Sequence, residues 1–248
     1  MDTGLKGKTV LITGASRNVG RVAAVSFARE GANLVLCTSS KMEGLEETAR
    51  QARALGAEVL TQQCDVTDGA QVANLVEAAR KKFGGVDVAV NNAVYRAEAK
   101  GKGFLEQSFE MWQRNIEVNL NGPYHICRNV LPLMKEKGWG RLVNFSGIAP
   151  FLGHGAAKAL AKVGIIGFTR GLATEFAPFG ITANCIGPGT IGTEREAYLP
   201  DKLLHAQQPI RRLGKPEEIA ELAVYLASEQ AAFITGQCYL VNGGLYYL

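Results

Sequence analysis

The stretch Thr13-Gly14-Ala15-Ser16-Arg17-Asn18-Val19-Gly20 decides how the rest of this chain is interpreted. It follows Thr9–Thr13, an apolar run typical of a buried strand, and it leads into a helical pattern over residues 19–30. A strand, a glycine-rich turn and a helix N-terminus in this order leave backbone N–H groups that can bind a pyrophosphate. Glycines also serve ordinary turns, so this prediction needs support from the rest of the chain.

Short apolar runs alternate with longer amphipathic stretches along the chain. This alternation predicts βαβ units and a parallel sheet covered on both faces. The predicted strands are Thr9–Thr13, Leu34–Cys37, Glu58–Gln62, Val86–Val90, Leu142–Phe145, Thr182–Ile186 and Cys238–Val241. The predicted helices cover residues 19–30, 43–55, 68–83, 108–137, 155–177 and 216–227. We therefore expect an α/β fold: a Rossmann-type, doubly wound sheet of about seven mostly parallel strands. No linker or repeat divides the sequence, so residues 1–248 are expected to form one domain.

Composition excludes several classes of protein. The chain has 47% hydrophobic and 20% charged residues, as expected for a soluble globular protein. Its net charge of +4 is spread along the sequence, which argues against a nucleic-acid partner. No apolar run approaches the roughly 18–20 residues that span a membrane, so we expect neither a membrane partner nor a signal peptide. The five cysteines are widely spaced, which favours reduced thiols in the cytoplasm, and we expect no metal site.

Two irregular segments follow predicted strands, at residues 94–107 and 187–208. Open α/β sheets bind their ligands at the carboxyl edge of the strands. We therefore expect both segments to be substrate loops for a small molecule. Arg96, Lys100 and Lys102 in the first segment either meet an anionic substrate or form a solvated cluster of charges.

Several motifs occur in an order that resembles the short-chain dehydrogenase/reductase superfamily. The glycine turn is similar to that family's Thr-Gly-x-x-x-Gly-x-Gly signature, with Asn18 in place of the middle glycine; asparagine tolerates a positive φ well. The other matching segments are Asp65-Val66, Asn91-Asn92-Ala93 with Val94 in place of a glycine, Asn119, Pro188–Thr193, Gly236-Gln237 and Asn242-Gly243-Gly244. The resemblance covers essentially the whole chain.

The resemblance implies a nicotinamide cofactor and a set of residues that bind it. These residues are Gly14, Ser16, Arg17, Asn18, Val19, Ser39, Ser40, Asp65, Val66, Asn92, Ala93, Lys162, Pro188, Gly189, Ile191 and Thr193.

The end of the second predicted strand favours NADP(H) over NAD(H). NAD enzymes usually place a carboxylate there for the ribose 2′-hydroxyl. This chain reads Cys37-Thr38-Ser39-Ser40-Lys41 and has no acidic residue at that point. Arg17 and Lys41 could pair with a 2′-phosphate, while Ser39 and Ser40 could donate hydrogen bonds to it. Alternatively, Arg17 and Lys41 are solvated surface charges.

The catalytic helix departs from the family pattern. The family uses a tyrosine as general acid/base, and a lysine four residues later that lowers its pKa and binds the nicotinamide ribose. Lys162 fits the lysine position, which puts Lys158 at the tyrosine position. Asn119 matches the family's structural and proton-relay asparagine. The family's substrate-orienting serine corresponds to Gly147 when counted from Gly140, or to Ser146 when counted back from Lys158.

Lys158 is the residue whose role the sequence leaves most open. Residues i and i+4 share a helix face, so repulsion from Lys162 and partial burial would lower its pKa. Lys158 could then transfer a proton or form a Schiff base with a carbonyl, or it could point to solvent and do no chemistry. His154, Tyr95 and Tyr198 are other candidate acids.

The leading hypothesis is an NADP(H)-dependent oxidoreductase with a non-standard proton donor, which reduces a carbonyl or a conjugated C=C bond. The dienoyl-CoA reductase branch of the superfamily also departs from Tyr-x-x-x-Lys, and Ile191-Gly192-Thr193-Glu194 is similar to its loop. The alternatives are a non-redox lyase or isomerase that uses Lys158, and a catalytically silent NADP-binding protein. The resemblance also implies a homodimer or homotetramer, and the apolar tail Leu245–Leu248 would suit such an interface.

Overall fold

A computed structural model describes residues 2–95, 104–153, 155–193 and 206–248 of the chain. Its centre is a seven-stranded sheet in the order β3-β2-β1-β4-β5-β6-β7, with all neighbouring strands parallel. The strands are β1 (Thr9–Thr13), β2 (Asn33–Thr38), β3 (Val59–Gln63), β4 (Val88–Asn91), β5 (Gly140–Phe145), β6 (Ile181–Pro188) and β7 (Cys238–Val241). This order confirms the predicted doubly wound α/β fold.

The helices follow the predicted amphipathic stretches, with two differences. They are α1 (Asn18–Arg29), α2 (Met42–Arg53), α3 (Gly69–Phe83), α4 (Phe109–Ile116), α5 (Gly122–Lys137), α6 (Ala149–Leu152), α7 (Ala156–Phe176) and α8 (Pro216–Ala227). The short helix α6 was not predicted. The helix predicted over residues 108–137 is interrupted by a π-helical turn at Glu117–Asn121, which separates α4 from α5.

Alternating side chains along each central strand supply two separate hydrophobic cores. In β1, Val10 and Ile12 belong to one core and Leu11 to the other. The first core contains the apolar faces of α1, α2 and α8, and the second contains those of α3 and α5 together with Ala173 of α7. Helices therefore cover both faces of the sheet, as a buried parallel sheet requires. Within the described residues, no helix is both long and apolar enough to cross a bilayer.

Candidate active site

The strand order reverses between β1 and β4, because β1 lies between β2 and β4 in the sheet. Such a reversal opens a crevice at the carboxyl ends of the strands, where this class of sheet binds ligands. Five of the segments that leave this edge start after Thr13, Thr38, Asn91, Phe145 and Pro188, and a sixth starts after Gln63. Most of the predicted site residues lie on them.

The glycine turn after β1 has the backbone that its sequence predicted. Asn18 has a φ of 51°, and among the described residues it is the one non-glycine residue with a positive φ. A Cβ atom on Gly20 would lie 2.4 Å from the carbonyl oxygen of Gly14, closer than real Cβ contacts come. The turn is therefore compact, and only glycine fits at position 20.

The turn is fastened to the end of β4 by Asn92 and Ala93. The Asn92 side-chain amide donates hydrogen bonds to the carbonyls of Thr13 (2.9 Å) and Gly14 (3.1 Å). In return, the Thr13 hydroxyl accepts hydrogen bonds from the backbone N–H groups of Asn92 (3.1 Å) and Ala93 (2.9 Å). Asn92 is a predicted cofactor residue, and its side chain stabilises the conformation of the turn through these hydrogen bonds.

A cavity of about 370 Å³ lies beside the turn at the end of β2. Its lining consists of Ser16, Arg17, Arg21, Ser40, Lys41, Met42, Glu43 and Gly44. Arg21 was not predicted, although its place on the first turn of α1 could have indicated it. Its guanidinium donates a 2.7 Å hydrogen bond to the Ser16 carbonyl, which directs one more positive charge to this cavity. The cavity also adjoins the N-terminus of α2, whose partial positive charge favours anions.

The predicted cofactor residues Asp65 and Val66 follow β3. Burial alone would raise the pKa of the Asp65 carboxyl, but hydrogen bonds from Thr67 and from Arg114 outweigh it and lower the pKa. The Arg114 guanidinium lies 2.9 Å from an Asp65 oxygen, which ties α4 to this loop. Val66 is buried against Gly122 at the start of α5. Sequence reasoning missed Arg114 because 49 residues separate it from Asp65.

The side chains of Lys162 and Ser146 connect α7 to the end of β5 through two hydrogen bonds to backbone carbonyls. The Lys162 ammonium donates a 2.9 Å hydrogen bond to the carbonyl of Phe145, the last residue of β5. The Ser146 hydroxyl donates a 2.7 Å hydrogen bond to the carbonyl of Lys162. Both residues are buried, at 6% and 5% exposure. In this arrangement the Ser146 hydroxyl faces α7.

Gly147 and Lys158 lie on either side of the short helix α6. A Cβ atom on Gly147 would meet one neighbouring atom, the Pro188 carbonyl oxygen at 3.9 Å, so a larger side chain has room there. Lys158 is exposed in the first turn of α7, one helical turn before the buried Lys162. The two lysines therefore differ sharply in their access to solvent.

Asn119 lies within the π-helical turn, a feature that often marks functional sites. Its amide nitrogen donates to the carbonyls of Asn115 (3.0 Å) and Tyr95 (3.4 Å). Its side-chain oxygen is buried and meets no hydrogen-bond partner among the described residues. Buried polar atoms nearly always have a partner, so this oxygen is suited to a water molecule or a bound group.

The segment Pro188–Thr193 leaves β6 over the same edge. The Gly189 N–H donates to the carbonyl of Val241 (2.9 Å), and the Gly192 N–H donates to that of Gly214 (2.8 Å). Ile191 and Thr193 are both buried, at 7% exposure. The segment is therefore anchored to β7 on one side and to the chain before α8 on the other.

Ser39 and Ser40 are exposed just after β2, next to Lys41. His154, Tyr198, Glu194 and the cluster Arg96, Lys100 and Lys102 lie outside the described residues. Both predicted substrate loops, at 94–107 and 187–208, are described only in part. Within the described part of the chain, no three His, Cys, Asp or Glu side chains gather as metal ligands would.

Comparison with known proteins places this fold and sequence in a family. The profile of the family described as enoyl-(acyl carrier protein) reductase matches residues 14–246. The 3-oxoacyl-(acyl-carrier-protein) reductase of Escherichia coli is 37% identical over 246 residues, covering 97% of this chain and 98% of that protein. The 3β-hydroxysteroid dehydrogenase 1 of Eggerthella lenta is 36% identical over 249 residues, covering 97% and 94%.

A solved structure leads to the same family. The short-chain dehydrogenase/reductase described as a glucose/ribitol dehydrogenase from Brucella melitensis superposes with a TM-score of 0.89 and is 33% identical, over 100% of both chains. These matches span nearly all of the sequence and the whole sheet. The chain therefore belongs to the short-chain dehydrogenase/reductase superfamily of oxidoreductases.

Proposed function

We propose that this protein is an NADP(H)-dependent oxidoreductase that reduces a carbonyl or a conjugated C=C bond and uses a non-standard proton donor. The observation that carries the proposal is the pair of lysines on α7, with Lys158 exposed one turn before the buried Lys162. We also propose that residues 1–248 act as one nucleotide-binding domain in a homodimer or homotetramer.

The described residues fit a dinucleotide. The glycine turn is compact, the Asn119 oxygen is buried without a partner among the described residues, and the anchored segment Pro188–Thr193 borders the same edge. Gly14, Ser16 and Val19 would hold the pyrophosphate, Asp65 and Val66 the adenine, and Ile191 and Thr193 the nicotinamide amide. When bound, a reduced nicotinamide cofactor would supply the hydride.

Charge at the end of β2 favours NADP(H) over NAD(H). Arg17, Arg21 and Lys41 line the cavity there together with Ser40, and Glu43 is the one acidic residue of the lining. Three cations and the N-terminus of α2 suit a phosphate better than a neutral ribose hydroxyl. Ser39 and Ser40 are exposed and can donate hydrogen bonds to the same group.

The proton chemistry would rest on α7. In this proposal Lys158 takes the position of the family's tyrosine, and Gly147 takes that of its serine. Lys162 is held by the Phe145 carbonyl at 2.9 Å and would bind the nicotinamide ribose. An exposed lysine amine can donate a proton to a substrate oxygen or carbon after hydride transfer. Asn119 would bind a water molecule that connects Lys162 to solvent.

The comparisons supply the substrates to test. The names of the relatives refer to 3-oxoacyl groups on acyl carrier protein and to a 3β-hydroxysteroid, and the family description refers to an enoyl group. Reduction of a conjugated C=C bond delivers hydride to a carbon remote from the carbonyl, so it does not need the standard tyrosine geometry. The enoyl thioester is therefore the first substrate to try.

The decisive experiment combines cofactor titration with a substrate panel. NADPH and NADH are titrated by fluorescence, and NADPH oxidation is then followed with a 3-oxoacyl thioester, an enoyl thioester and a 3-ketosteroid. We expect tighter binding of NADPH and turnover on one member of the panel. The double variant Lys158→Tyr with Gly147→Ser should gain 3-oxoacyl reduction by at least about tenfold. Binding without turnover would instead support a silent NADP-binding protein.

A non-redox reaction through Lys158 is the second candidate, because this residue is exposed and lies four residues before another lysine. A lysine amine condenses with a carbonyl to give an imine and water. Borohydride treatment in the presence of a ketone would then attach the substrate to Lys158, as peptide mass mapping would show. An unmodified Lys158 would reject this candidate.

A further inference from the structure

Two cysteines face one another across the last two strands of the sheet. Cys185 of β6 is paired in register with Cys238 of β7, and the two strands are parallel. Residues in register on neighbouring strands project to the same face, and adjacent strands lie about 4.7–4.9 Å apart. Cα atoms joined by a disulfide are typically about 4.4–6.8 Å apart. The backbone therefore already places Cys185 and Cys238 at a separation that a disulfide accepts.

The two side chains are also neighbours in the fold. Each thiol acts on the pKa of the other, and Cys238 packs against the small cluster formed by Cys185, Ile165 and Ile166. The two cysteine side chains therefore lie on the same face of the sheet, next to Ile165 and Ile166 of α7.

Cys238 is the better nucleophile of the two. The neighbouring Cys185 thiol lowers the pKa of the Cys238 thiol, burial opposes this, and the positive charge of Arg170 lowers it further. The same contact and complete burial raise the pKa of the Cys185 thiol. Cys238 is partly buried on the last strand of the sheet, whereas Cys185 is buried. An oxidant would therefore meet Cys238 first, and Cys185 lies ready to attack the oxidised sulfur.

A second pair provides an internal comparison. The thiols of Cys37 and Cys64 also act on one another's pKa, but they are 0% and 1% exposed beneath the glycine turn. A peroxide has no surface on which to meet either thiol in the folded protein.

We propose that Cys185 and Cys238 form a redox modification site, in which a hydroperoxide converts the two thiols into a disulfide. The Cys238 thiol gives up its proton, and the resulting thiolate attacks a peroxide oxygen. The O–O bond breaks to leave a sulfenic acid on Cys238, and the departing hydroxide or alkoxide takes up the proton as water or as an alcohol. The Cys185 thiol then attacks the Cys238 sulfur and releases a second water. Two electrons pass from the thiols to the peroxide, and a dithiol reductant reverses the change.

The site adjoins the residues proposed for catalysis. The Ser146 N–H donates a 2.8 Å hydrogen bond to the carbonyl of Ile186, the residue after Cys185. The charge of Lys162 acts on the Cys185 thiol and lowers its pKa, although the other causes outweigh it. A covalent bond at Cys185 would therefore form directly beneath the junction of β5 and α7.

The test treats the folded protein with hydrogen peroxide, blocks the remaining thiols under denaturing conditions, and counts them by mass spectrometry. We expect two of the five thiols to be lost, a peptide that links Cys185 to Cys238, and full recovery after dithiothreitol. The variant Cys238→Ser should lose no pair of thiols and show no linked peptide. The matched variant Cys64→Ser, which breaks the fully buried pair, should behave as the wild type does.

Three results would overturn the proposal. The first is a wild-type protein that keeps all five thiols, and the second is a link between Cys37 and Cys64 instead. The third is Cys238 oxidised to a sulfinic acid without a linked peptide. Because Cys238 is only partly buried, its serine variant is expected to fold, and a thermal melt of that variant verifies this.

Discussion

Two parts of one sheet edge differ in how tightly their backbone is packed. In the glycine turn, a Cβ atom on Gly20 would lie 2.4 Å from a carbonyl oxygen, and the Asn92 amide binds the carbonyls of Thr13 and Gly14. At the junction of β5 and α7, a Cβ atom on Gly147 would meet a single atom at 3.9 Å. The backbone at the proposed phosphate site is therefore too closely packed to accept a side chain at position 20. The proposed catalytic site has room for a larger side chain at position 147.

The largest expected effect concerns the proposed catalytic site, which is the more loosely packed of the two regions. Lys158→Ala should lower kcat on the active substrate by about 100- to 10 000-fold, because a positioned acid contributes that much to a proton transfer. The affinity for NADPH should stay within about twofold. Steady-state kinetics and fluorescence titration measure the two quantities.

The matched control for this variant is Lys81→Ala, which removes an exposed lysine of α3 that lies 3.8 Å from Glu77. It should leave kcat unchanged. Equal turnover of Lys158→Ala and wild type would remove Lys158 from the mechanism.

The next effect concerns charge beside the tightly packed turn. Arg17→Ala should weaken NADPH binding by about 10- to 100-fold and leave NADH binding nearly unchanged, because it removes a charge-assisted hydrogen bond to the 2′-phosphate. Arg53→Ala, at the far end of α2, is the control. If both cofactors lose affinity equally, Arg17 does not distinguish them.

A paired glycine experiment tests the comparison directly. Gly20→Ala should lower the free energy of unfolding by about 1–3 kcal/mol, because the new methyl group overlaps the Gly14 carbonyl. Gly147→Ala, with open space around it, should change stability by less than about 0.5 kcal/mol. Urea denaturation of both variants measures the difference. Similar losses from both would show that the two regions are equally packed.

The smallest expected effect concerns Glu218, which lies just after the segment whose Gly214 carbonyl accepts a hydrogen bond from the Gly192 N–H. Hydrogen bonds from Arg212 and from the Lys215 N–H lower the pKa of Glu218 to about 2, from an ordinary value of 4.5. A lowered pKa stabilises the fold fully above pH 4.5, and this contribution is lost as the pH falls towards 2. Glu218→Gln should therefore cost less than about 1 kcal/mol at pH 7, since the pair is largely exposed.

The difference between Glu218→Gln and wild type should shrink below pH 4.5 and vanish near pH 2. Denaturation curves at several pH values follow it. Glu217→Gln is the control, because it removes a neighbouring carboxylate and leaves the Arg212 pair intact. A difference that stays constant over the whole range would show that Glu218 acts by packing alone.

Strand periodicity predicted the sheet well, and the errors have physical causes. The bounds of β1 and β7 agree with the predicted Thr9–Thr13 and Cys238–Val241. β6 runs to Pro188, beyond the predicted Ile186, because Gly187 and Pro188 pair with β7 despite being poor strand formers. The sequence also contains no local signal for the π-helical turn inside the stretch 108–137.

Side-chain partners in the site were much less predictable than the strands. The Asp65–Arg114 pair joins residues that only the fold brings together. The direction of the Ser146 hydroxyl depends on how α7 packs beside the end of β5, because the hydroxyl binds the Lys162 carbonyl. Asn18 is the opposite case, since its positive φ follows from local turn chemistry and was predictable from the residue itself. Local backbone requirements can thus be read from sequence, whereas contacts across elements require the assembled sheet.

The π-helical turn at Glu117–Asn121 amounts to one residue more than a regular helix would contain over the same length. Deleting one residue there would restore continuous α-helical hydrogen bonding through α4 and α5. It would also rotate one half of the helix by about 100° relative to the other, because each residue turns an α-helix by that angle. Asn119 would then leave the crevice, or Arg114 would leave Asp65. The extra residue lets a single helical segment present both side chains in the directions that the proposed site requires.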